Sequence, residues 1–282
     1  MTRPARKRNP CSGLSHTPSQ IENANFSREE KDFFLLALLA VLPHFSRAVA
    51  TGGWLKWVER DTNENGLMPA LDTQVRTMLQ DLEVGERPRE PSWRAAPADA
   101  RNLPDNEQSY SAVVTSPPYP NRHDYTRVFG VELMFAFLGW DETRSLRRQT
   151  FHSHPEARPE RPELGAYTPP STLLEAVEQV SERETDPRVP RMLEGYFADM
   201  FSALRELKRV CTTDAMVALV VGNVQYRGVP IMVDELTAEV GEQAGLRCRE
   251  LLVARFRGNS AQQMKLLGKN PSRETVVVFS NP

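Results

Sequence analysis

Two adjacent prolines constrain this chain more than any other feature. The run Ser109-Tyr-Ser-Ala-Val-Val-Thr115 is β-branched and apolar, which predicts a short buried strand, and it leads directly into Ser116-Pro-Pro-Tyr119. Pro117 and Pro118 have no backbone N–H for a ladder, so the strand must stop and turn its carboxyl end outward. In open α/β sheets that end is where ligands bind.

The rest of the chain supplies the elements such a sheet needs. Tyr196 to Val210 has helical periodicity, Ala215-Met-Val-Ala-Leu-Val-Val221 predicts a buried strand closed by Gly222-Asn223, and Pro230 to Ala244 predicts a second amphipathic helix. Strands are expected near Glu250 to Arg257 and Glu274 to Phe279, forming an antiparallel edge on an otherwise parallel α/β sheet. Upstream, Ser27-Arg-Glu-Glu30 before an apolar run is a helix-start signature, with the helix expected to reach about Arg47.

Three domains follow from this pattern. Residues 1–28 are polar, basic and rich in Pro and Ser, and predict a flexible arm. Residues 29–98 predict a helical segment or insert, including a helix near Leu71 to Leu82. Residues 99–282 hold the α/β region, interrupted at about 150–190 by a segment with seven prolines and many charges that reads as a mobile loop or inserted recognition element. Arg147, Arg148, Arg158 and Arg161 lie in or beside it among Glu156, Glu160 and Glu163, as expected of a solvated loop.

Composition narrows the class without naming it. With 282 residues, 40% hydrophobic and 26% charged, the chain can bury a sizeable core. The longest apolar run, Phe33 to Leu42, falls well short of the roughly 20 residues that cross a bilayer. Arg3, Arg6, Lys7 and Arg8 precede polar residues instead of an apolar signal core, so the expected location is the cytoplasm, with no membrane contact. Cys11, Cys211 and Cys248 lack disulfide or metal-ligand spacing, so no metal is expected. A net charge of −2 gives no global signature of a nucleic-acid binder, and any such contact must be local.

The string TSPPY after an apolar strand resembles the catalytic motif of the DNA amino-methyltransferases: Asp, Ser or Asn, then Pro-Pro, then an aromatic residue. The resemblance implies a Rossmann-like fold dependent on S-adenosylmethionine (SAM). It also implies methylation of an exocyclic base nitrogen in DNA and, from Ser at the first position, N4 of cytosine ahead of N6 of adenine. It makes Ser116, Pro117, Pro118 and Tyr119 the catalytic residues. The hydroxyl of Ser116 and the carbonyl of Pro117 would accept hydrogen bonds from the amine, while Tyr119 stacks on a base flipped from the duplex.

Further stretches resemble the same family. Asp99 would bond the adenine amino group of SAM. Asn121, Asp124 and Tyr125 continue the catalytic loop, and the apolar part from Val128 to Leu138 is expected to pack in the core. Arg257 and Asn259 would lie near substrate, and Arg273-Glu-Thr-Val276 would form an edge strand with a paired Arg and Glu.

One departure stands out. Among the 15 glycines no two stand in a G-x-G relation, whereas the family cradles SAM on such a turn, and Gly52-Gly53 does not follow a buried strand. The sheet is therefore expected to be incomplete in this chain, with a second subunit carrying the glycine-rich SAM-binding motif. A truncated, non-catalytic remnant that binds nucleic acid and an RNA methyltransferase are the alternatives.

Overall fold

A computed structural model describes residues 17–51, 54–59, 66–84, 94–159, 167–257 and 272–282. The chain divides into two units, Met1–Arg94 with Asp124–Arg147, and Ala95–His123 with Arg148–Pro282.

The first unit is mainly helical: α1 (Thr17–Asn23), α2 (Arg28–Phe45) and α3 (Leu67–Val84), with a two-stranded antiparallel ribbon of β1 (Ala48–Thr51) and β2 (Trp54–Trp57). Ser27 caps α2 as its sequence predicts, accepting the Glu30 N–H at 3.2 Å while the Glu30 carboxylate accepts the Ser27 N–H at 2.8 Å. Leu38, Val41 and Leu42 of α2 pack with Ala48, Leu67 and Val131 into a small core. Two features differ from expectation: α1 lies within the predicted arm, and the ribbon interrupts the predicted helical segment between α2 and α3.

After Asp124 this unit continues through α4 (Tyr125–Val128), α5 (Gly130–Glu132), a wider π-helical turn at Leu133–Phe137, and α6 (Trp140–Gln149). The core packing expected of Val128 to Leu138 is realised at Val131 and in part at Phe135, while Phe129 and Phe137 are on the surface.

The second unit contains β3 (Tyr110–Thr115), α7 (Ser171–Arg183), α8 (Arg188–Val210), β4 (Cys211–Gly222), β5 (Val224–Tyr226), β6 (Val229–Ile231), α9 (Val233–Gln243), β7 (Arg247–Arg257) and β8 (Ser272–Ser280). β5 and β6 form a small ribbon, so the helix predicted from Pro230 begins at Val233. α7 occupies part of the predicted Pro-rich loop. The main sheet runs β3-β4-β8-β7. Only β3 and β4 are parallel, so the sheet is mixed where a mainly parallel one was expected. β8 is interior and β7 forms the edge, because β8 follows β7 and inserts beside β4.

α7, α8 and α9 cover one face. Leu173 and Val177, Met192, Phe197 and Phe201, and Val233 and Leu236 meet Val217, Leu219, Val221, Val277 and Phe279 of the sheet. On the opposite face, Val114 is 74% exposed, and Met216 and Leu252 are about half exposed. This corrects the expectation of a buried strand at β3. Its side chains project from a strand with one neighbour among the described residues, and in this unit the described helices pack on the other face, so only Val113 packs against the core. β7 carries an extra residue, Ala254, between the pairs Val253↔Thr275 and Arg255↔Glu274. No helix among the described residues is long and apolar enough to cross a membrane.

α9 is locked to β8 in two ways. Gly241 lies so close to Phe279 that an added Cβ would stand 2.3 Å from the ring. The buried Asp234 accepts from Arg273 Nε at 2.6 Å and from the Thr275 hydroxyl at 2.7 Å. Burial alone would push the Asp234 carboxyl up, but the hydrogen bonds from Arg273 and Thr275 outweigh it and hold the carboxyl below its usual range.

Gly241→Ala is expected to destabilise the chain by about 1–3 kcal/mol through overpacking, read as a lower urea midpoint. Because its folded pKa is depressed, Asp234 adds stability above the ordinary carboxylate range that is lost as pH falls through the folded value. Asp234→Asn should cost on the order of 3 kcal/mol at neutral pH. In urea titrations at a series of pH values, its deficit should shrink below about pH 4.

Candidate active site

The site begins where β3 ends. Val114 and Thr115 still pair with Ala218 and Leu219 of β4, and then the prolines lift the chain off the sheet. Ser116 is exposed, and its hydroxyl donates to the Val220 carbonyl at 3.1 Å. A serine hydroxyl has one proton and two lone pairs. With the proton committed to Val220, the oxygen faces any incoming group as an acceptor.

Tyr119 crosses the end of the sheet. Its ring rests on Gly222, the last residue of β4, where an added Cβ would come within 2.8 Å of ring carbon Cε2. Its hydroxyl donates to Glu274 Oε1 at 2.8 Å. Glu274 stands opposite Gly222 on β8 and is buried, and its other oxygen pairs with Arg255 Nε on β7. One aromatic side chain is thereby held by groups from three strands.

The loop beyond is closed by several further contacts. The Asn121 N–H donates to the Tyr119 carbonyl at 2.8 Å, and the Asn121 side-chain oxygen accepts the His123 N–H at 3.1 Å. The buried Tyr226 hydroxyl donates to the Pro120 carbonyl. Burial pushes that hydroxyl well above its usual range, so it remains a donor.

Arg122 adopts a left-handed backbone, with φ of 68°. Its N–H donates to the Ser153 carbonyl at 2.9 Å. Its guanidinium lies 5.0 Å above the Tyr226 ring and donates to Glu184 Oε2 at 2.5 Å. Burial would raise the Glu184 carboxyl, but Arg122 outweighs it and holds the carboxyl below its usual range.

Ser116, Pro117, Pro118, Tyr119 and Asn121 thus lie in one tethered stretch. Asp124 and Tyr125 belong to the other unit. There Asp124 is buried, caps α4 by accepting the Thr126 N–H at 2.9 Å, and pairs with Arg127 at 3.2 Å and Arg147 at 2.9 Å. Tyr125 is exposed and stacks on Phe129 at a ring separation of 6.4 Å.

Asp99 is gripped by the Arg101 fork, with Nε to Oδ1 at 2.9 Å and Nη2 to Oδ2 at 2.7 Å. The Arg101 hydrogen bonds hold the Asp99 carboxyl below its usual range against the cost of burial. Through Arg101, Asp99 connects to the Gln149 carbonyl and the buried Asp199, not to the motif. Arg257 ends β7, its backbone opposite Ser272, and Asn259 lies outside the described residues. Arg273 and Glu274 do not pair with each other, because neighbouring residues on a strand face opposite sides: Arg273 takes Asp234 and Glu235, and Glu274 takes Arg255.

Sequence reasoning passed over Gly222, Tyr226 and Glu274 as parts of the site. A glycine closing a buried strand and an acid beginning the last one were visible signals, but only the sheet order brings them to Tyr119.

No family model matches the chain. Type II methyltransferase M.AvaI of Nostoc sp. and its counterpart of the same name in Anabaena variabilis are each 27% identical over 303 residues, covering 94% of this chain and 63% of the relative. Type II methyltransferase M.BsoBI of Geobacillus stearothermophilus is 28% identical over 314 residues, covering 92% of this chain and 61% of the relative. The chain therefore spans a little under two thirds of the length of these curated relatives, and over nearly all of its own length it is similar to proteins named Type II methyltransferases.

Proposed function

We propose that this chain contributes the catalytic motif for methylation of an exocyclic amino group of a base in DNA, with N4 of cytosine as the target. The observation that carries this reading is the Ser116 hydroxyl, exposed at the carboxyl end of β3 with its proton committed to Val220. An exocyclic amine shares its lone pair with the ring and is a poor nucleophile. Oxygens that accept its N–H bonds favour the geometry and positive charge that develop as nitrogen is alkylated. Ser116 and the Pro117 carbonyl are assigned that role, and Tyr119 is assigned to stack on a base turned out of the duplex. The similarity to Type II methyltransferases supports the reaction class. Ser at the motif's first position supports cytosine over adenine through the family resemblance.

SAM is the methyl donor in this proposal, and we infer that its cradle is not made by this chain alone. The sequence has no G-x-G turn, and both oxygens of Asp99 are engaged by Arg101. β3 has an edge that no described strand covers. We assign the cofactor's cradle to a second polypeptide bearing a glycine-rich turn. In this chain the chemistry is confined to accepting the amine's hydrogen bonds and holding the base.

Two measurements test these assignments. Calorimetric titration of the purified chain with SAM is expected to show no saturable binding, and clear one-to-one binding would remove the need for a second polypeptide. With the partner supplied by coexpression, nucleoside digests of DNA should contain N4-methylcytosine. Ser116→Ala should lower the rate of its formation about 10²-fold or more. N6-methyladenine in the digests would overturn the choice of base, and preferential methylation of structured RNA would overturn the choice of DNA.

A further inference from the structure

We infer that Glu274 and Gly222 are positioning residues that set the plane of the Tyr119 ring across the end of the sheet, so that an unpaired base meets a fixed aromatic face. The inference rests on the stacking role proposed for Tyr119 and names what prepares it. A tyrosine on a loop beyond two prolines has two side-chain torsions to lose on binding a base. Fixing them beforehand removes that cost from the binding step.

Each restraint acts on a different part of the side chain. Gly222 lets the ring lie against the β4 backbone, since any Cβ there would stand 2.8 Å from Cε2. Glu274 fixes the far end by accepting a hydrogen bond from the hydroxyl at 2.8 Å. Glu274 is itself buried and in register with Gly222, so the two restraints share one β4–β8 pair. Arg255, opposite Glu274 on β7, supplies the positive charge that makes a buried carboxylate tolerable in this place. The arrangement also gives the sequence a reason to keep a glycine at the end of an otherwise bulky strand.

The test compares binding of the full chain to two labelled duplexes of the same sequence, one fully paired and one with a single cytosine opposite an abasic site, by fluorescence anisotropy. The unaltered chain should prefer the duplex with the unpaired cytosine by on the order of tenfold. Tyr119→Ala should abolish that preference. Gly222→Ala and Glu274→Leu should each remove most of it. Glu274→Gln, whose amide oxygen can still accept from the hydroxyl, should restore most of it. In the Tyr119→Phe background, Glu274→Leu should have no further effect on the preference.

Thermal unfolding of each variant separates loss of preference from loss of fold. If Tyr119→Ala abolishes the preference while folded Gly222→Ala and Glu274→Leu chains keep it, the positioning role is overturned and the stacking role stands. If the unaltered chain shows no preference, or Tyr119→Ala leaves it intact, the stacking role fails and the positioning role with it.

Discussion

The Val220 carbonyl accepts the hydrogen bond of the Ser116 hydroxyl, and the strand that carries it is held from both sides. β4 pairs in parallel with β3 and antiparallel with β8, and its inward residues Val217, Leu219 and Val221 are pressed against the helical layer. A carbonyl on a strand fixed in three directions is a rigid acceptor. The orientation of the serine oxygen is therefore inherited from the core and not from the loop. The same strand ends in Gly222, the floor for Tyr119, so the two motif side chains share one support.

The loop beyond the prolines is held differently. Its anchors are polar and arrive from distant parts of the chain: Tyr226 to Pro120, Arg122 to Glu184, and Ser153 to the Arg122 N–H. Each meets a backbone group or a charge at a place where no strand ladder serves the loop. The left-handed backbone at Arg122 is sustained by this surrounding set of bonds. A segment with two prolines and no place in a ladder is thus ordered by side chains.

What was legible in the sequence was mainly local. The end of β3 follows from two missing N–H groups, and the start of α2 follows from a serine and a glutamate three residues apart. Both rest on contacts between near neighbours. The Tyr119–Glu274 bond joins residues 155 positions apart, and nothing within either segment announces the other. The ion pairs of Asp124 with Arg127 and with Arg147, the second from α6, were likewise not announced by its own segment. The exposure of β3 was hidden for the opposite reason. Its side chains are apolar enough for a core, but burial depends on what lies on both faces and edges, which a strand's own residues do not determine.

The extra residue in β7 has a consequence for which side chain Glu274 meets. With Val253 opposite Thr275, an uninterrupted antiparallel ladder would put Ala254 opposite Glu274 and turn Arg255 to the other face of the sheet. The bulge at Ala254 advances the strand by one position and delivers a guanidinium where a methyl group would have stood. Counting along the strand has become a form of electrostatic addressing. Were the strand to pair residue for residue through Ala254, with every polar side chain left intact, the carboxylate beneath Tyr119 would face a methyl group.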